Sequence, residues 1–344
     1  MTPPSVVPVE IVARLGAVQA QDHAAAKWGI ALRGHGLVDA DVQRAFDAGE
    51  IIRTHVLRPT WHFVAAADLR WLLQLAAPQV HRANGAYYRQ AGIDGAVVRR
   101  TTSILERELR GGNYRTRAKL GAAFQRARIE ARDGQRLGYL MMRAELDGVV
   151  CSGPLRGKQH TYALVEERVA PAPSPTRDEA MHELARRYVA TRGPATVHDF
   201  AWFSGLGVAD ARSGLESLGT GVTKSRIGDR TYWAPETDDP RREARRVAHL
   251  LPNYDEYFIG YRDRAAFLAR LRAAAVPLPS PALGRHVVAI GGQFIGGWTR
   301  TVSGKAVTVE LDILTALTRP EQHVLTRAVE AYGDFLQLPV EVRS

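Results

Sequence analysis

The chain has 344 residues, 45% of them hydrophobic and 24% charged, and a formal net charge of +10. That length exceeds one usual domain, and the composition is that of a globular chain with ample core. No apolar run reaches bilayer length, and the single cysteine, Cys151, excludes an internal disulfide and a cysteine-based zinc cluster.

The positive charge favours a polyanionic partner such as nucleic acid. The excess of arginine over lysine and the abundance of alanine also fit a compositional bias unrelated to binding. The opening residues, Met1-Thr2-Pro3-Pro4-Ser5-Val6-Val7-Pro8, carry neither the basic flank nor the apolar core of a signal peptide, so a cytoplasmic protein is expected.

The first informative stretch is Leu15-Gly16-Ala17-Val18-Gln19-Ala20-Gln21-Asp22-His23, which joins an apolar helical run to an alanine-rich one. On one continuous helix, residues i and i+2 point about 200° apart, so Gln19 and Gln21 could not share a target. Gly16 weakens the first helix and Asp22 can cap a second. A backbone that leaves the helix between them presents both amides side by side. The other reading is two ordinary polar positions on a surface helix.

A scheme of helix, helix and basic hairpin then occurs three times. In the first copy a capped helix over 38–46 ends at Gly49, and strands 51–56 and 61–64 pair across Leu57-Arg58-Pro59-Thr60. Connecting helices are predicted over 68–77 and 80–90. The second copy has helices over 115–128 and 135–146, then strands 149–152 and 160–165. Pro171-Ala172-Pro173-Ser174-Pro175 is a stiff linker. In the third copy Thr196 starts one helix and Val208 another, and strands 222–227 and 230–233 turn at Gly228-Asp229.

Beyond a charged stretch at 236–246, Leu250-Leu251-Pro252-Asn253-Tyr254-Asp255-Glu256-Tyr257 leads into strands over 286–290, 293–300 and 306–311, and a helix over 319–335. The expected fold is α+β, with three tandem winged-helix (helix-turn-helix) units and a C-terminal α+β module. The boundaries read as winged helix 1 with the Gln-Ala-Gln segment in 1–66, connecting helices and winged helix 2 in 67–170, winged helix 3 in 176–235, and the module in 245–344.

Several chemistries are absent. No phosphate-cradling Gly-x-x-x-x-Gly-Lys, no helical two-histidine zinc pair and no Gly-x-Ser-x-Gly elbow occurs. Asp255 and Glu256 are adjacent, and chain neighbours seldom face one substrate. The second helices of the three copies carry Asp39, Asp41 and Asp47, an apolar Leu137, Leu140, Met141, Met142 face, and Asp210 and Glu216. Carboxylates repel phosphates, so these helices read as scaffold rather than as readers of base edges.

Four motifs, Gln19-Ala20-Gln21, Arg58-Pro59-Thr60-Trp61-His62-Phe63-Val64, Leu250 through Tyr257 and Gly296-Gly297-Trp298-Thr299-Arg300, resemble the tandem winged-helix DNA glycosylases of the AlkZ/YcaQ type, in order and over most of the chain. The resemblance implies a repair glycosylase that hydrolyses the N-glycosidic bond of N-alkylated, bulky or crosslinked purines. Its Gln-aliphatic-Gln motif implies Gln19 and Gln21 as catalytic residues; a sister branch has Asp at the second position. A glycine usual in the Arg-Gly-Thr turn is Pro59 here. The other matched positions, Arg58, Thr60, His62, Asp255, Trp298 and Arg300, are the expected substrate and DNA contacts.

The implied partner is double-stranded DNA bound by a monomer, nucleoid-associated when bound, without metal, organic cofactor or membrane. Two amides suit that chemistry, because an alkylated purine already leaves readily and a neutral carbonyl can orient a water without attacking undamaged DNA. The alternative is a non-catalytic winged-helix transcriptional regulator.

Overall fold

The computed structural model describes residues 7–236, 247–276 and 286–343, so the charged stretch at 236–246 lies outside the described residues except for Glu236. Helix α1 (Pro8–Leu15) stops at Gly16, whose φ of 76° suits a residue without Cβ and whose N–H donates to Ala13 O at 3.0 Å. Strand β1 (Val18–Gln19) follows, and Asp22 Oδ1 then accepts from Ala25 N at 3.0 Å to cap α2 (His23–Ala31). The helical ladder is therefore interrupted between Gly16 and Asp22, as the two-amide spacing requires.

Helix α3 (Asp39–Ala48) leads to β2 (Ile51–Val56) and β3 (Arg58–Ala65), and β3 lies between β1 and β2 in a three-stranded antiparallel sheet. The hairpin is tighter than the four-residue turn expected. Leu57 alone turns the chain at φ 60°, next to a bulge between His55 and Val56, so Arg58 and Thr60 already belong to the strand.

The two connecting helices are one, α4 (Leu69–Gln90), with Pro78 inside it. Pro78 and Gln74, whose carbonyl loses its partner, are exposed, while Leu72, Leu73, Ala76, Ala77 and Val80 form a buried stripe on the other side. The freed carbonyl lies on the exposed side, and packing carries the helix through the proline. Helix α5 (Gly95–Leu109) follows.

Residues Arg115 and Thr116 form β4 (Arg115–Thr116), which pairs with Tyr162 and Thr161, so α6 (Arg117–Arg126) starts later than expected. Helix α7 (Gly134–Leu146), β5 (Val150–Ser152), β6 (Thr161–Leu164) and the short α8 (Val165–Arg168) complete this part, with strand order β4-β6-β5. After the proline linker comes α9 (Arg177–Arg192), then α10 (Val197–Ser204), α11 (Val208–Glu216) and the paired β7 (Val222–Ile227) and β8 (Arg230–Pro235).

The C-terminal part has β9 (Ala248–Leu251), α12 (Glu256–Ile259), α13 (Ala269–Ala273), β10 (His286–Ile290), β11 (Gln293–Val302), β12 (Val307–Ile313), α14 (Arg319–Leu336) and β13 (Val340–Arg343). Its five strands run β13-β12-β11-β10-β9, with only the β12–β13 pair parallel among them. This sheet does not close its core alone. Trp28 and Ala31 of α2 pack with Leu250, Val288, Trp298, Tyr332 and Phe335, and Trp28 Nε1 donates to Leu250 O at 2.7 Å.

The third helix pair docks on the first hairpin just as closely. At Gly205, φ 69°, an added Cβ would lie 1.9 Å from Leu57 O, so only glycine fits that junction. Among the described residues, no helix is long and apolar enough to cross a membrane.

Candidate active site around Gln19 and Gln21

The site grows from the short pairing of β1 with β3. Val18 pairs with Phe63 and Gln19 with His62, and Ala20 N donates to Trp61 O at 2.7 Å. Strand side chains alternate between faces. Val18 and Ala20 go into the core with Phe63, which leaves Gln19 and His62 on the other face. Gln21 lies just beyond β1, in the bend before the α2 cap. Arg58, Thr60 and His62 lie on alternate positions of β3, and Arg58 and His62 meet Gln19 there. Gln19 is buried and Gln21 is exposed.

Arg58 ties this face together. Its Nη2 donates to Gln19 Oε1 at 3.1 Å and lies 3.2 Å from His62 Nε2, while Nη1 donates to Phe203 O at 2.8 Å. Phe203 lies in the last turn of α10, where carbonyls lack helical partners and a cation is favoured. Burial lowers the Arg58 pKa, with Glu256 opposing and Arg192 and Arg264 adding to the fall; an arginine remains charged regardless.

His62, expected as a substrate contact, is turned into the fold. It is fully buried, and its Nδ1–H donates to Thr60 O at 2.9 Å, which makes Nε2 an acceptor for Arg58. Burial, and then the Arg58 charge, hold its pKa well below the usual histidine value, so the ring is neutral and orients Arg58. Thr60 Oγ1 and Thr54 Oγ1 are buried without a hydrogen-bond partner. Thr54 is the cross-strand neighbour of His62 on β2.

Two expected DNA contacts belong to the interior instead. Asp255 is buried and holds Arg33 through two bonds of 2.7 and 3.0 Å, fixing α2 to the C-terminal part. Trp298 is a core residue whose Nε1 donates to Leu251 O at 2.8 Å. Both side chains, expected as DNA contacts, are engaged in packing the C-terminal part against α2. Arg300 is partly buried, 3.0 Å from His286 Nε2 and 3.7 Å from Asp22 Oδ2, and so approaches the cap that follows Gln21.

Three residues that shape the bend were not among the expected site residues. Arg192 donates to Leu15 O and Ala17 O, Glu256 accepts from Gln19 N, and Arg53 Nε donates to Ala20 O at 2.9 Å. Helix α9, which carries Arg192, was not among the expected elements; it opens on a capping box in which Thr176 Oγ1 accepts from Glu179 N. Asp255 and Glu256 do face different partners, Arg33 and Arg192.

Four acids of the second helices are used within the fold, while Glu216 is exposed. Asp39 pairs with Lys27, Asp41 accepts from Val38 N, Asp47 accepts from Gln43 and Leu155 N, and Asp210 pairs with Arg177. Beside the bend, His23 and His160 meet edge to face at 5.0 Å. Burial, with mutual repulsion as a smaller cause for His23, lowers them to about 3 and about 4. Among the described residues, no group of three or more His, Cys, Asp or Glu could hold a metal ion.

A family model described as DNA glycosylase AlkZ-like matches residues 12–335. The interstrand DNA cross-link repair glycosylase of Streptomyces sahachiroi is 25% identical over 326 residues, 84% of this chain and 81% of that protein. The solved structure of Streptomyces sahachiroi DNA glycosylase AlkZ is similar with a TM-score of 0.75 at 21% identity, covering 98% of this chain and 94% of that one. The structural likeness is one of fold.

Proposed function

This chain belongs to the AlkZ-like DNA glycosylase family and is a DNA repair glycosylase, and on that premise we propose that it releases N-alkylated purines, including bulky and crosslinked adducts, from double-stranded DNA. Alkylation at a ring nitrogen makes the purine cationic, so it departs as a neutral base once the bond to C1′ weakens. The protein then has to orient a water and accommodate positive charge growing on the sugar. Gln21, the exposed amide, accepts a hydrogen bond from that water through its carbonyl. Gln19, anchored by Arg58, completes the amide pair. The substrate strand runs past this sheet face, and the phosphates are met by exposed arginines.

The observation that supports this reading is the interruption between α1 and α2, with Gln19 on β1 and the exposed Gln21 in the non-helical stretch before the Asp22 cap. The three helix–helix–hairpin groupings are read as winged-helix units with the boundaries expected from sequence, and the working species as a monomer. Asp39, Asp41, Asp47 and Asp210 of the second helices are engaged within the fold, which disfavours a base-reading regulator. The test is incubation of the purified protein with a duplex carrying 7-alkylguanine. Release of the free base supports the reading, and binding without release would return the protein to the regulator class.

A further inference from the structure

Arg192 and Glu256 form an ion pair whose side chains are 2% and 1% exposed, with Arg192 Nη2 2.7 Å from Glu256 Oε2. So deeply buried a pair contributes little net stability, because desolvation offsets its attraction. Its other arms reach one short stretch of backbone. Arg192 Nη1 donates to Leu15 O at 3.0 Å and Nη2 to Ala17 O at 3.3 Å, while Glu256 Oε1 accepts from the Gln19 N–H at 2.9 Å.

Leu15 O and Gln19 N–H are the acceptor and donor that would bond to each other, i to i+4, if α1 ran on through the glutamines. The segment Ala17-Val18-Gln19-Ala20 has no proline to prevent that. The ion pair takes both ends of the missing helical bond, Arg192 the carbonyl and Glu256 the amide. Arg192 comes from α9 and Glu256 from α12, elements far from Gln19 in the chain.

We propose that Arg192 and Glu256 are positioning residues for the glutamine pair, replacing the Leu15–Gln19 helical hydrogen bond and so holding the backbone out of the helix where the amides orient water. The proposal rests on the reading of Gln19 and Gln21 as the catalytic amides. Without the pair, α1 extends toward α2 and turns the two amides away from each other.

Glu256→Gln tests this, because an amide has one acceptor oxygen where the carboxylate has two, so either Arg192 or the Gln19 N–H loses its partner. On a 7-alkylguanine duplex, single-turnover excision is expected to fall by about tenfold or more while duplex affinity stays within about twofold. Glu256→Asp keeps both oxygens and the charge and is expected to recover part of the rate. The control is Asp68→Asn, another buried carboxylate, which accepts from Trp71 Nε1 and Arg187 Nη1; it is expected to lower the melting temperature without slowing excision. If Glu256→Gln does not fold, Glu256→Asp decides alone: a slower rate at unchanged affinity supports the proposal, and a wild-type rate overturns it. Wild-type excision in both Glu256 variants, or an equal rate loss in Asp68→Asn, also overturns it. A wild-type protein that releases no base fails the underlying reading instead.

Discussion

Gln19 and His62 face each other across the β1–β3 pair, and the Arg58 guanidinium lies 3.1 Å from Gln19 Oε1 and 3.2 Å from His62 Nε2. A neutral ring, an amide and a helix C-terminus thus share one cation. Arg58→Lys keeps the charge but loses the planar fork that reaches Gln19, His62 and Phe203 O together. Excision is expected to fall by about tenfold to a hundredfold, with stability reduced by roughly 1–3 kcal/mol for the acceptors left unsatisfied. Single-turnover kinetics and urea unfolding check both numbers, and an unaltered rate would detach Arg58 from the site.

Stability and rate are expected to respond differently to pH. His23 and His160 are lowered to about 3 and about 4, and His286 to about 4, mainly by burial. The unfolded chain binds protons at these rings near pH 6.5 and the folded protein does not. Stability is therefore fullest above about pH 6.5 and is lost toward pH 4, with a slope of up to about 1.4 kcal/mol per pH unit for each ring. Urea midpoints at about pH 7.5 and about pH 5 measure this; equal midpoints would contradict it.

Excision should not follow that curve. Amides do not titrate, and His62, whose pKa burial and Arg58 hold well below 6.5, stays neutral. The rate is expected to be flat from about pH 5.5 to about pH 8.5 under conditions where the fold is intact. A rate that rises through pH 6.5 would point to a histidine base in place of the amides.

Asp255→Ala leaves Arg33 partly buried without its carboxylate. The expected cost is about 3–5 kcal/mol, read as a lower urea midpoint. If the midpoint is unchanged and duplex affinity falls, Asp255 is a binding residue after all.

How much of this was legible in the sequence follows from the range of the forces involved. The break between Gly16 and Asp22 leaves a local mark, a positive φ and a side-chain cap, that could be read from residue types. Arg58, Thr60 and His62 were found through motif resemblance, and strand alternation explains why they share a face. Asp255 and Trp298 sat in equally distinctive motifs but serve the core, since burial depends on contacts with Arg33, Trp28 and Tyr332. Arg192 and Glu256 could not be paired from sequence, because nothing local joins α9 to α12. Pro78 misled for the opposite reason: a local rule was outweighed by the packed stripe of α4.

The most direct test of the central claim compares Gln21→Ala with wild type on one alkylated duplex, measuring affinity and single-turnover excision together. Affinity comes from Lys and Arg contacts to phosphates, to which one amide adds little. An amide that orients the attacking water acts on the barrier alone. The expected result is unchanged affinity with excision slowed about a hundredfold, or roughly 2–4 kcal/mol. Gln19→Ala should behave likewise, and the double variant should lose less than the sum. Equal excision by wild type and Gln21→Ala would contradict the account.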